Sequence, residues 1–250
     1  MRAVNSAIGS VLMVLLFGGF IFDARAQDTE WMQVDVVNVV PDRLEDYVKL
    51  QMEEVSPALQ RAGVPWRSVW RVAEFGNSYE LHLVTPINDL GQYDSGGPLA
   101  RVLEPESRQR LVDRLRRMTV SRKRYAMRYR PDVSVEAEEI GGLSLARVVT
   151  LEVVPGRATD WEEFMQTNLT NFSDADLVFG VYERVLGPGP AAWLIVENYA
   201  SFAELELPSL VARAGVTTSP VFGMISSIER IVLRYDPELS YSGISLNMRR

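Results

Sequence analysis

The sequence predicts an α+β fold built twice over: two tandem βαββαβ units packed sheet to sheet, closing into one barrel within a single chain. Three observations carry that expectation. Arg128-Tyr129-Arg130-Pro131-Asp132-Val133-Ser134 returns as Arg234-Tyr235-Asp236-Pro237-Glu238-Leu239-Ser240, and each copy ends an alternating apolar run at a proline that cannot extend a sheet interior, so each reads as a last strand with its exit turn. Each copy also closes the same order of elements, strand, helix, strand, strand, helix, strand. Sliding one half over the other pairs Val40-Pro41 with Val154-Pro155, Tyr47 with Trp161, Trp70 with Tyr182 and Leu90 with Phe202.

The chain opens on residues 1–26, which read as an export signal: Arg2, then an apolar run from Val11 to Phe22, then Ala24-Arg25-Ala26 as a small-x-small cleavage site. The run is too short to cross a bilayer as a helix, so cleavage before Gln27 and no lasting membrane anchor are expected. The first unit occupies 27–134. Val34 to Val40 reads as a buried strand and Pro41-Asp42 as a helix start, with Asp42 and Glu45 spaced as a capping box. Leu44, Tyr47, Val48, Val55 and Leu59 keep helical spacing until Gly63. Ser68 to Phe75 and Tyr79 to Thr85 form a hairpin about Gly76-Asn77, a Gly-rich loop spans 86–98, a helix turns Leu111, Leu115 and Met118 inward, and Ser121 to Arg130 is the fourth strand.

Residues 135–144, acidic and then Gly-Gly, read as a linker. The second unit, 145–250, repeats the order: strand Ala146 to Val154, a helix with Trp161, Phe164 and Met165 inward, strands Val178 to Val185 and Trp193 to Glu197, a helix over Phe202 to Ala214, strand Ile228 to Tyr235, and a tail. This is the ferredoxin-like plan, which leaves one sheet face bare. Two copies cover each other's bare faces, so a monomer with an intrachain pseudo-dimer is expected.

Val154-Pro155-Gly156 followed by aromatic Trp161 and Phe164, and Glu197-Asn198-Tyr199-Ala200-Ser201 leaving the third strand, give the chain a resemblance to the dimeric α/β-barrel superfamily, in its antibiotic-biosynthesis-monooxygenase-like branch. The first unit keeps Pro41 and Tyr47 but carries Thr85-Pro86-Ile87-Asn88-Asp89 in place of the second motif. The resemblance implies a small hydrophobic molecule or haem held between sheet and helices. Its members include cofactor-free monooxygenases, haem proteins and non-catalytic modules, so fold alone does not choose among them. Asn38, with Trp66 or Trp70, echoes the Asn and Trp that some members use. Haem is the one cofactor left open; otherwise none is expected.

Composition excludes several classes. A net charge of −7, more acidic once Arg2, Asp23 and Arg25 leave with the signal, argues against nucleic acid and anionic membranes as partners. With no cysteine and a single histidine, thiolate and multi-histidine metal sites are excluded, and no metal is expected. Asp94-Ser95-Gly96-Gly97-Pro98 matches the serine-protease signature only in letters, since His82 alone precedes it in the wrong setting. Gly187-Pro188-Gly189-Pro190 lacks the amide donors a pyrophosphate needs and reads as a hairpin.

Three residues remain as candidate catalytic groups, His82, Asn38 and Trp70, with Glu80 on the His82 face. In the fourth strands, Tyr125, Met127 and Tyr129 align with Ile231, Leu233 and Tyr235, and Arg124 and Arg128 with Arg230 and Arg234. If the apolar faces pack on the helices, those four arginines point between the sheets, towards Asn38 and Glu152. They would then grip an anionic ligand or form an internal ion-pair network. The expectation is an exported periplasmic or extracellular module that binds a small molecule without catalysis. The alternatives are a cofactor-free or haem-dependent monooxygenase-like enzyme, and an interaction module using the basic stretch Arg108 to Arg130 of the first unit.

Overall fold

The computed structural model describes residues 31–135, 144–174, 178–206 and 223–242. The leader, the cleavage before Gln27, most of the linker, the later part of the helix expected over Phe202 to Ala214 and the end of the tail lie outside the described residues.

The strands are β1 (Trp31–Val39), β2 (Trp66–Val72), β3 (Glu80–Pro86), β4 (Thr119–Tyr129), β5 (Leu145–Val153), β6 (Gly180–Leu186), β7 (Ala192–Tyr199), β8 (Ile225–Tyr235) and a short β9 (Tyr241–Ser242) on β2. They are ordered β3-β1-β4-β6-β7-β5-β8-β2, every neighbouring pair antiparallel, and the β2–β3 pairing closes the ring into an eight-stranded barrel. The first half reads β4-β1-β3-β2 and the second β8-β5-β7-β6, joined at the seams β4–β6 and β8–β2. Four antiparallel steps separate β1 from β5, so both run the same way and finish at the same mouth of the barrel.

The helices cover the outside. α1 (Leu44–Leu50) and α2 (Ser56–Arg61) are joined by a π-helical stretch, Gln51–Val55, and α3 (Pro105–Arg117) packs beside them. The widened turn sits just before Pro57, which lacks the N–H an unbroken α-helix would need there. Gly63 ends this helical run at φ +77°. The capping box expected at Asp42 and Glu45 is absent: Pro41 opens a 3-10 turn, and Arg43 N–H donates to the Val40 carbonyl at 2.8 Å. The first core joins Val37, Val39, Val69, Leu81 and Leu83 of the sheet to Tyr47. The second joins Val149, Leu151, Trp193 and Ile195 to Trp161 and Met165 of α4 (Ala158–Asp174). No helix among the described residues is long and apolar enough to cross a membrane.

The repeated Arg-Tyr-x-Pro segments work as reciprocal latches. After β4, Val133 is fully buried in the core of the second half, while after β8, Leu239 enters the core of the first. Ser134 Oγ donates to the Arg130 carbonyl at 2.7 Å and accepts from Val181 N–H at 2.9 Å. Ser240 Oγ does the same with the Asp236 carbonyl at 2.6 Å and Val69 N–H at 2.9 Å. Each half therefore carries the plug for the other's core.

Candidate functional site

Strand register decides which side chains enter the barrel, because partners across an antiparallel pair share a face. Val37 and Val39 lie beneath the helices, so Val34, Val36 and Asn38 point inward. The pairings then build one continuous row around the inner wall: Lys123 opposite Val36, Val36 opposite His82, His82 opposite Trp70, Trp70 opposite Tyr235. The row beside it holds Ser121, Asn38 and Glu80.

These residues meet at the mouth where β1 ends. His82 Nε2 lies 2.8 Å from Glu80 Oε1, and the side chains are 13% and 21% exposed, so the pair is lodged inside yet reached by solvent. Asn38 donates to Ser121 Oγ at 3.1 Å and accepts from the Asn77 amide. The His82 hydrogen bond, outweighing burial, holds the Glu80 carboxyl below its ordinary range, with smaller help from Asn38 and from the Lys123 charge. An ionised Glu80 accepts from Nε2–H, and in the neutral imidazole this tautomer puts the lone pair on Nδ1. Lys123 and Ser121 are exposed at the rim. Further round, Trp70 meets Tyr235 edge-on, ring centroids 5.2 Å apart, and its indole N–H donates to Ser68 Oγ at 2.6 Å.

The second half fills its share of the interior differently. Ala146, Val148, Leu194, Val196, Ile231 and Leu233 form an apolar wall against Val72 and Trp70. In the ring order β7, which carries Leu194 and Val196, lies opposite β3, which carries His82 and Glu80. The His82–Glu80 pair, Asn38, Ser121 and Lys123 all come from the first half, while the second half adds Tyr235, the Arg184–Glu152 pair and Glu229 to the inner face.

His82, Asn38 and Trp70, which the sequence singles out separately, thus share one surface. The four arginines do not. Arg124 points outward and, with Arg122, grips Asp35 at 2.8 and 2.9 Å; Arg128 pairs outside with Glu183; Arg230 and Arg234 are exposed, and Arg234 lies 5.5 Å from the Phe202 ring. The expected inward convergence fails because the helices pack over the middle strands of each half. The outer faces of β4 and β8 meet water and ion partners, and their apolar faces turn inward. Glu152 does point inward, but its partner is Arg184 at 3.4 Å. Lys123, Asn77 and Ser121 carry no signal of their own in the sequence, although the parity that places Asn38 inside also selects Lys123 and Ser121 once the β1–β4 register is known.

Other candidates resolve into structure. Glu197, from the second motif of the resemblance, is buried on the outer face, where its carboxylate accepts from Arg147 at 2.9 Å, with Tyr199 alongside. The basic helix α3 is partly neutralised, through Arg114 with Glu54 of the π-helical stretch and through its own Arg116–Asp113 pair. A groove of about 380 Å³ flanks α1, floored by Leu44, Val48 and Met52, and the Arg71 at its edge is tied to Asp236. A histidine-ligated haem does not fit these residues. The one histidine in the sequence sits inside the barrel between Val36 and Trp70, with Nε2 held by Glu80, and the space between sheet and helices has none.

No family model matches the chain, and no curated protein matches it. Solved structures do. An anthrone oxidase-like protein superposes with a TM-score of 0.62 at 9% identity, over 87% of this chain and 95% of its own. A monooxygenase so named on a provisional basis, from Lactobacillus acidophilus NCFM, gives 0.54 at 12% identity, over 86% and 97%. A mutant chlorite dismutase from Candidatus Nitrospira defluvii gives 0.55 at 9% identity, over 85% and 94%. At such identities the likeness is one of fold: an α+β antiparallel barrel similar to the dimeric α/β-barrel.

Proposed function

We propose that this protein is an exported, monomeric barrel formed by tandem duplication of a ferredoxin-like unit, and that it binds a small, partly apolar molecule at the polar mouth of the first half. The duplication is supported by the matching strand orders and the two reciprocal latches. The observation that carries the binding reading is the inner row Lys123–Val36–His82–Trp70–Tyr235 facing an apolar wall, partly open to solvent. An eight-stranded barrel is just wide enough for its side chains to fill or for one small ligand, and here the apolar cluster fills the second half's side while the mouth at His82 and Glu80 is reached by solvent. The His82–Glu80 pair offers a hydroxyl group an acceptor at Nδ1, Asn38 and Ser121 offer further polar contacts, and Trp70 offers an aromatic surface.

A second reading rests on the same pair. A histidine oriented by a carboxylate can take a proton from an activated hydroxyl, the opening move of a cofactor-free oxygenation, and the monooxygenase and anthrone oxidase names among the structural neighbours support it. Titrating the mature chain with 2-naphthol while following tryptophan emission tests binding. Saturable quenching that disappears in Trp70→Phe and weakens about tenfold in His82→Gln is expected. Quenching unchanged in both variants would place any binding elsewhere. Oxygen uptake with anthrone, lost in His82→Gln, would favour the enzyme.

A further inference from the structure

We infer that the molecule held at this mouth is an aromatic acid, its ring against Trp70 and Tyr235 and its carboxylate taken by Lys123. The inference rests on the binding reading above and adds the chemical class. Most charged groups that register turns into the barrel are engaged. Glu80, whose carboxyl feels the Lys123 charge, is bonded to His82 instead, at 2.8 Å. Arg184, only 10% exposed, is held by Glu152 at 3.4 Å and by the Pro190 carbonyl, and lies over the Tyr125 ring. Lys123, exposed at the rim, has no ion pair or hydrogen bond among the described residues. Among the described residues Lys123 is the inward-facing cation without such a partner, and an unpaired ammonium at the edge of a polar site is where an anionic group would be recognised.

Position adds a direction. Glu229, opposite Thr150 in register, also faces inward, on β8. In the ring order β4 and β8 occupy opposite sides of the barrel, so Lys123 and Glu229 set a field across the mouth that drives a carboxylate towards β4 and away from β8. Three strand spacings separate Lys123 from Trp70 along the wall, about 14 Å of backbone, and the long lysine side chain covers part of it. The remainder suits one or two fused rings bearing an acid. The Asn38, Ser121 and His82 groups lie along that span, where a ring hydroxyl would meet them.

The test compares 2-naphthoate, 2-naphthol and 2-naphthylmethylammonium by calorimetry on the mature wild type, Lys123→Met and Lys123→Arg. Lys123 lies at the rim, so these variants keep the far-ultraviolet circular dichroism of the wild type. Naphthoate binding about tenfold tighter than naphthol, with the preference lost in Lys123→Met, largely kept in Lys123→Arg and reduced by salt, is expected. Naphthol binding as tightly as naphthoate, or a preference that survives Lys123→Met, overturns the acid inference and leaves the binding reading standing. Failure of all three probes to bind the wild type overturns both.

Discussion

Asp35 is 4% exposed on the outer face of β1, where two guanidiniums close on one carboxylate: Arg122 at 2.9 Å and Arg124 at 2.8 Å. Burial alone would raise its pKa; the hydrogen bonds and charges of the two arginines reverse this and hold the carboxyl below its ordinary value. The linkage follows from that sign. A carboxyl with a depressed folded pKa stabilises the native state above its unfolded pKa, near 4, and the contribution is lost as pH falls through the folded value. Asp35→Asn should therefore lower stability by about 2 kcal/mol at pH 7 and flatten the loss of stability as pH falls below about 4. Urea midpoints across that range measure both effects, and an unchanged acid profile would exclude Asp35 as a source of acid lability. The same scale shows what local sequence can reveal. His82 and Asn38 stand out as rare or polar types within apolar runs, whereas Lys123 lies among Arg122 and Arg124 and differs from them only in the face it occupies.

At the scale of elements, β4 and β8 are the informative strands. Their alternation is plain in the sequence, and the structure keeps it; which face turns inward is set by how far the helices reach, and no short window contains that distance. The long helix-bearing segments are legible for the opposite reason: Trp161 and Met165 of α4, or Leu111 of α3, are buried because the periodicity itself fixes the packed face. The segments after β4 and β8 read as exit turns in the sequence, but in the structure they are latches. Leu239, 1% exposed in the core of the first half, should cost about 3 kcal/mol when changed to Ala, and Ser240→Ala about 1 kcal/mol for the lost bond to Val69. Chemical denaturation of the two variants checks the order. Equal small losses would mean that the latch adds little to the core it enters.

For the whole molecule, the barrel is legible because a sequence pattern recurs: an expected pair of units, each with a bare sheet face, would have few ways to close other than on one another, and the strands do close into one antiparallel barrel. What recurrence hides is asymmetry. The interior is polar around His82 and apolar around Leu194, so the two halves line the barrel with different side chains, and the His82 site cannot be inferred from the recurring pattern. The latches carry a consequence of their own. Because each half's core is completed by a segment from the other, a chain cut within residues 136–143 should yield two fragments that are poorly folded apart and recover the barrel on mixing, with a dissociation constant that worsens in Leu239→Ala. Fragment complementation followed by circular dichroism and sedimentation would show whether the two halves of the barrel recognise each other without a covalent link.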